Sequence, residues 1–204
     1  ASGDLTDSPL RQARRFAKHR THLMSNAPLR DLIEGHHGAG RIEDLAVPFQ
    51  CVAACIETAR SQWFSEGPVT PAVLASCAVP GLFAPVEIEG RHYLDGGLVH
   101  SIPVGRALAL GATTIYVLQV GRVEQPLTPP SKPWEVGMVA FEIARRHRYV
   151  EEIATIPDDI ELHVLPSGSQ SAPAVSFSYG RPDRMRVRIA QAEAATHAYL
   201  ADLG

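Results

Sequence analysis

The fold is decided by the stretch Tyr93-Leu94-Asp95-Gly96-Gly97-Leu98-Val99, in which an apolar pair is followed by one acid and then by two glycines. This pattern is typical of a carboxylate at the end of a strand, because glycines after a strand let the backbone turn sharply and take positive φ. Asp-Gly is also a common hairpin signal, so Asp95-Gly96 alone favours an ordinary turn. The surrounding sequence is needed to distinguish a functional site from an ordinary turn at Asp95-Gly96.

Further segments accompany this stretch. An apolar run with two prolines precedes it, Ala75-Ser76-Cys77-Ala78-Val79-Pro80-Gly81-Leu82-Phe83-Ala84-Pro85-Val86, and Ile102-Pro103-Val104 follows it. A weaker similarity extends to Ile42-Glu43-Asp44-Leu45-Ala46-Val47-Pro48 and Glu57-Thr58, so that the segments cover most of residues 42–120. In combination they resemble the patatin-like phospholipase family, whose second catalytic residue is the aspartate of an Asp-Gly-Gly or Asp-Gly-Ala motif.

The resemblance implies an α/β fold, namely a three-layer α/β/α domain with a mostly parallel sheet. Residues 1–204 would form a single domain of this type, incomplete at its N-terminus. The implied function is a serine acyl hydrolase that cleaves acyl esters of lipids, of the phospholipase, lysophospholipase or esterase type. Asp95 would be the catalytic base, and Gly96 and Gly97 would set its turn. In this family the aspartate pairs with the serine directly, so the implied chemistry needs no histidine, metal or cofactor.

The nucleophile is the missing part of this dyad. Family members carry the serine in a Gly-x-Ser-x-Gly elbow and take oxyanion amides from a glycine-rich loop near the N-terminus, and neither occurs in this sequence. The nearest approaches are Gly168-Ser169-Gln170-Ser171-Ala172 and Ala1-Ser2-Gly3, which lack the strand-turn-helix context of an elbow. We prefer the interpretation that these parts precede Ala1, since they are N-terminal in the family. The alternative is a noncatalytic lipid- or protein-binding module that has lost its nucleophile.

A third interpretation is a Ser-His-Asp hydrolase built from Ser169, His163 and Asp95, for which the elbow is again lacking. The sequence also departs from the family pattern at two places. His100-Ser101 stands where relatives have one or two asparagines, and Ala54-Cys55 replaces a common Thr-Asp. Both departures leave Asp95 intact, but they leave open how its loop is supported.

Composition limits the class of protein. A length of 204 residues suits one domain with a sizeable core. The formal net charge of −3 argues against a nucleic-acid partner, because phosphate binding normally leaves a basic footprint. No run approaches the ~20 apolar residues that cross a bilayer, and the N-terminus lacks a secretory pattern. We therefore expect a cytoplasmic protein, or one that is peripheral at a membrane surface.

The three cysteines, Cys51, Cys55 and Cys77, lie in apolar runs and form an odd set, which indicates buried thiols. Zinc is disfavoured because a second pair of ligands is lacking. A basic cluster predicts a solvated helix face, with attraction to anionic head groups as the lesser alternative: Arg11, Arg14, Arg15, Lys18 and Arg20. Oligomeric state, lipid head group and acyl chain have no readable signal in the sequence.

Periodicity and chain-breaking residues predict the remaining elements. Helices are predicted over residues 10–23, 25–33, 71–79, 103–110, 134–156 and 183–203, and strands over 49–56, 63–64, 90–94, 113–120 and 160–165. Thr70 is predicted as the N-cap of the third helix. We expect a polar loop at His36-His37-Gly38-Ala39-Gly40 and a solvent-facing run at Arg145-Arg146-His147-Arg148.

Overall fold

The structure, a computed structural model, describes residues 22–37, 40–119, 126–167 and 182–203. Predictions that fall elsewhere lie outside the described residues, including most of the helix over 10–23, its basic cluster and Ser169. The chain divides into two compact units. The first comprises the described residues up to Ser101 together with Lys132–Arg145, and the second comprises Ile102–Ser131 and the residues from Arg146 onward, as far as they are described.

The first unit contains two helices and an antiparallel sheet. The helices are α1 (Ala27–His37) and α2 (Val69–Ser76). The strands are β1 (Cys51–Cys55), β2 (Arg60–Phe64), β3 (Val86–Ile88) and β4 (Arg91–Asp95). They lie in the order β2-β1-β4-β3, and each neighbouring pair is antiparallel. Short 3-10 helices are present at Ile42–Asp44 and Gly96–Leu98.

The second unit pairs two parallel strands and packs helices beside them. Its elements are α3 (Val104–Ala109), β5 (Thr114–Leu118), β6 (Glu161–Leu165) and α5 (Pro182–Ala201). In helix α4 (Pro133–Ile153), the residues up to Arg145 belong to the first unit and the remaining residues belong to the second. The core of the second unit is formed by Val104, Ile115 and Val117.

The predicted α/β class is confirmed as a mixed fold of helices and sheets, whereas a mostly parallel sheet is not confirmed. Among the described strands, the four-stranded sheet is antiparallel and the parallel pair is β5–β6. A short connection explains the antiparallel β3–β4 pair. β3 and β4 are joined by Glu89-Gly90 at φ of 52° and 75°, a two-residue hairpin that can only pair its strands antiparallel. The three-layer arrangement, the single domain and the incomplete N-terminus stay predictions.

Most predicted elements within the described residues are present, with boundaries shifted by a few residues. Two predictions about helix ends are wrong. α2 begins at Val69, with Pro68 at the N-cap position and no side-chain capping bond, whereas Thr70 is buried inside the helix. His36 and His37 end α1 instead of forming a loop, and His36 Nδ1 donates to the Leu32 carbonyl at 2.8 Å.

Small buried side chains bring α2 onto the sheet. Ala53 of β1 and Ala75 of α2 are fully buried in one cluster with Tyr93 of β4. The segment after α2 also holds the end of β4, because the Asp95 N–H donates to the Ala78 carbonyl at 3.0 Å. The end of β4 is therefore fixed both by β1 and by the chain that leaves α2.

Gly96 lets the end of β4 approach β1 closely. Asp95 pairs with Ala53, so Gly96 lies beside Val52. A Cβ atom at Gly96 would overlap the Val52 carbonyl oxygen and lie 2.8 Å from Val52 Cγ1. The described glycines with positive φ are Gly67, Gly81, Gly90 and Gly111, so the positive φ predicted after Asp95 is wrong. Close packing, and not backbone conformation, requires glycine at this position.

We expect Gly96→Ala to lower the free energy of unfolding by about 2 kcal/mol or more, because the added methyl group meets a backbone atom of the β1–β4 pair. Gly137→Ala is the matched control. Gly137 lies in α4 with open space around the position of an added Cβ, so this change should be neutral or stabilising by up to ~1 kcal/mol. Urea denaturation measures both changes. Equal stability of Gly96→Ala and the parent protein would contradict close packing here.

Candidate active site

Asp95 is the last residue of β4 and lies where the strand passes into a 3-10 helix. The N–H groups of Val99 and His100 both donate to the Gly96 carbonyl, at 3.0 and 2.8 Å. Asp95-Gly96 is therefore not the turn of a hairpin. The acid stands at a strand end, as the sequence predicts, and is only partly exposed.

The Asp95 carboxylate is fixed by the backbone that follows it. Oδ1 accepts a hydrogen bond of 2.7 Å from the Gly97 N–H, so the side chain caps the 3-10 helix. A Cβ atom at Gly97 would lie 2.9 Å from this same oxygen. Glycine at 97 thus leaves room for the carboxylate to turn back onto the chain. Gly96 and Gly97 are both closely packed, Gly96 against Val52 and Gly97 against the Asp95 carboxylate.

Burial raises the pKa of Asp95 to about 6. The hydrogen bond from Gly97 and the positive charge of Arg145 oppose this rise in pKa, and the negative charge of Glu142 adds to it. A carboxyl group with a pKa near 6 is largely ionised at neutral pH and is still basic enough to take up a proton. The geometry and charge of Asp95 therefore suit a general base.

Arg145 and Glu142 of α4 form an ion pair next to this turn. The guanidinium donates to both Glu142 oxygens, from Nε at 3.1 Å and from Nη2 at 3.0 Å, and from Nη1 to Ser101 Oγ at 3.2 Å. The two side chains are only 20% and 12% exposed. The sequence prediction that the Arg145 run faces solvent is therefore wrong for Arg145, although His147 and Arg148 are exposed.

Sequence reasoning missed Arg145 and Glu142 as neighbours of Asp95. Their spacing of three residues in a helix predicts a pair with each other. Nothing in the pattern indicates which part of the chain this pair faces, since Asp95 is distant in sequence. Phe141 of the same helix, buried to 9% exposure, was missed for the same reason.

The thiols near Asp95 are poor nucleophiles. Burial raises the pKa of Cys51 to about 12, and burial together with the charge of Asp95 raises the pKa of Cys77. Since the thiolate is the reactive form, both side chains stay protonated and inert at neutral pH. Cys55 is buried, and its Sγ donates to Glu57 Oε2 at 3.5 Å.

His100 and Ser101, where the sequence was expected to depart from the family pattern, both support the loop after Asp95. The His100 ring packs at a tilt against Trp63, with 5.3 Å between the ring centroids. Ser101 accepts the hydrogen bond from Arg145. These side chains therefore connect the loop to β2 and to α4.

The Ser-His-Asp alternative has little support in the described residues. His163 is 6% exposed in β6, its Nε2 lies 2.9 Å from Glu161 Oε1, and its Nδ1 lies 3.1 Å from the Tyr199 hydroxyl. A carboxylate only accepts, so Nε2 donates to Glu161, and both ring nitrogens have partners. His163 thus ties β6 to α5. Ser169 lies outside the described residues.

No group of three or more His, Cys, Asp or Glu side chains could hold a metal ion among the described residues. None of the described helices has the length and apolar character required to span a membrane.

This chain is similar in sequence to an uncharacterized NTE family protein and to proteins named as lysophospholipases. An uncharacterized NTE family protein of Mycobacterium tuberculosis is 36% identical over 84 residues, which cover 41% of this chain and 22% of that protein. Lysophospholipase NTE1 of Coccidioides immitis is 36% identical over 87 residues, or 43% of this chain and 6% of that protein. Lysophospholipase nte1 of Emericella nidulans is 34% identical with the same coverage. The chain thus matches less than a quarter of the length of each of these relatives.

The sequence model of the family described as patatin-like phospholipase matches residues 4–108. The matched segment includes β1 to β4, α2 and the turn that carries Asp95. Since this segment is just over half of the 204 residues, the chain belongs to the patatin-like phospholipase family.

Proposed function

We propose that the full-length protein is a serine acyl hydrolase that cleaves acyl esters of lipids through a Ser-Asp dyad, with Asp95 as the general base. The observation that carries this proposal is the partly buried carboxylate at the end of β4, fixed through Oδ1 by the Gly97 N–H. Family membership, together with the lysophospholipase names of two relatives, supports lipid esters as the substrate class. Peripheral contact with a lipid surface belongs to the same proposal.

The serine in this dyad would come from outside residues 1–204, since the sequence contains no Gly-x-Ser-x-Gly. Gly97 engages Oδ1, so we assign the proton transfer to Oδ2 of Asp95. Asp95 takes the hydroxyl proton as the serine oxygen attacks the ester carbonyl, and returns that proton to the leaving alcohol. Water then hydrolyses the acyl-serine, giving its proton to Asp95, which passes it back to the serine oxygen as the fatty acid leaves.

We expect Asp95→Asn in the full-length protein to lower kcat for a lysophospholipid or a p-nitrophenyl ester by at least ~10²-fold, because an amide cannot take up the serine proton. Asp31→Asn is the matched control, at an exposed position of α1, and should keep the parent activity. Undiminished turnover in the Asp95 variant would exclude this residue as the base.

The pH profile should report the same carboxylate. A general base acts in its ionised form, so kcat/KM should fall as the pH drops through about 6, the pKa of Asp95. Initial rates between pH 4.5 and 8 with a neutral ester substrate measure this limb. A rate independent of pH between 5 and 7 would contradict a base with this pKa.

Residues 1–204 alone should hydrolyse no ester and should not react with a fluorophosphonate probe, because both need an activated serine beside an oxyanion hole. Labelling of the full-length protein serves as the positive control. Mass spectrometry that finds the probe on any serine of residues 1–204 would overturn the proposal of an external nucleophile. A full-length protein that is also unlabelled would favour the noncatalytic binding module.

A further inference from the structure

Arg145 contacts the segment Asp95–Ser101 at two points. Near its start, Gly97 packs so closely that an added Cβ would come within 3.3 Å of both Arg145 Cδ and Phe141 Cζ. At its end, Arg145 Nη1 donates to Ser101 Oγ. One side chain of α4 therefore spans the whole segment that follows the strand end.

The position of Arg145 is fixed by Glu142, one turn earlier in the helix. Two parallel hydrogen bonds between a guanidinium and a carboxylate restrict the plane of the guanidinium as well as its distance. Because both side chains are largely buried, this pair is screened less by solvent than an exposed pair. Arg145 is thus held in one orientation towards the loop.

Helix α4 lies outside residues 4–108, which the family match covers. The match therefore assigns no role to Arg145, Glu142 or Phe141.

We propose that Arg145 is a positioning residue for Asp95: held by Glu142, it keeps the segment Asp95–Ser101 in the conformation that presents the carboxylate to its proton donor. The inference rests on the proposed function, because it assumes that Asp95 acts as the base. It adds a second element, α4, to a site otherwise built from β4 and the following turn.

The charges around Asp95 make this role measurable. The Arg145 cation lowers the pKa of Asp95, and the Glu142 carboxylate raises it. Cys77, on the segment after α2, also interacts with Asp95, but burial keeps its thiol protonated. Removal of the Arg145 charge should therefore raise the pKa of Asp95 further. Loss of its contacts with Gly97 and Ser101 should in addition lower kcat at pH 8, where Asp95 is ionised, and a change in charge alone would not do this.

The test is Arg145→Met in the full-length protein, with aspartate labelled by ¹³C at Cγ. The NMR signal of Asp95 is assigned by its absence in Asp95→Asn, and its chemical shift is followed as the pH changes. We expect the pKa of Asp95 to rise by roughly one pH unit, since a neighbouring guanidinium typically stabilises a carboxylate by this much or more. The pH at which kcat/KM falls on the acid side of its profile should rise as well. Arg145→Lys keeps the cation, so the pKa of Asp95 should stay close to its value in the parent protein. Arg148→Met, at an exposed position of the same helix, should change neither quantity.

An unchanged pKa of Asp95 in folded Arg145→Met overturns the proposal. If that variant does not fold, Glu142→Gln provides the test. Its amide oxygen still accepts a hydrogen bond from Arg145, while the negative charge is lost. The pKa of Asp95 should then fall, and a rise or no change would count against the arrangement. Full activity of Asp95→Asn would refute the proposed function and leave the pKa result standing. An inactive Asp95→Asn with no pKa change in the α4 variants would refute only the role of Arg145.

Discussion

The close approach of the β4 end to β1, at Gly96 and Val52, is the constraint on which the site depends. No side chain fits between these two backbones, and the chain leaves the strand through a tight 3-10 turn. That turn brings the Gly97 N–H to the Asp95 carboxylate at 2.7 Å. The orientation of the acid therefore follows from backbone packing within the sheet. Each glycine of the Asp-Gly-Gly pattern leaves room for a different neighbour: Gly96 for the Val52 backbone and Gly97 for the Asp95 carboxylate.

The same packing imposes a cost on the fold. Burial raises the pKa of Asp95 to about 6, above the usual value of an aspartate, so the folded state binds its proton more tightly than the unfolded state does. The stability that comes from the protonated form is fully present below the pKa of the unfolded chain, and it is lost as the pH rises through 6. At neutral pH the ionised carboxylate thus works against folding. Such a cost is expected where a buried group is kept for its chemistry.

Local patterns in the sequence were enough to predict the strand end at Asp95, the long helix α4 and the family. These features depend on neighbouring residues, such as Tyr93-Leu94 before the acid and the glycines after it. The mostly parallel sheet was not confirmed, because strand pairing depends on whether short connections such as Glu89-Gly90 form a hairpin. The contact of Arg145 with the loop of Asp95 was missed for a related reason. A helix with partly apolar and partly charged faces does not itself indicate which distant segment it covers.

An arginine paired with Glu142 is more compatible with a proton-accepting Asp95 than an unpaired arginine would be. A lone guanidinium beside Asp95 would stabilise the ionised carboxylate strongly and lower its pKa, which would weaken it as a proton acceptor. A lone buried arginine would also leave a charge without compensation. Glu142 reduces the positive potential at Asp95 and at the same time fixes the guanidinium that holds Ser101. The ion pair can thus orient the loop while the pKa of Asp95 stays in the range where a carboxylate is both ionised and basic at neutral pH.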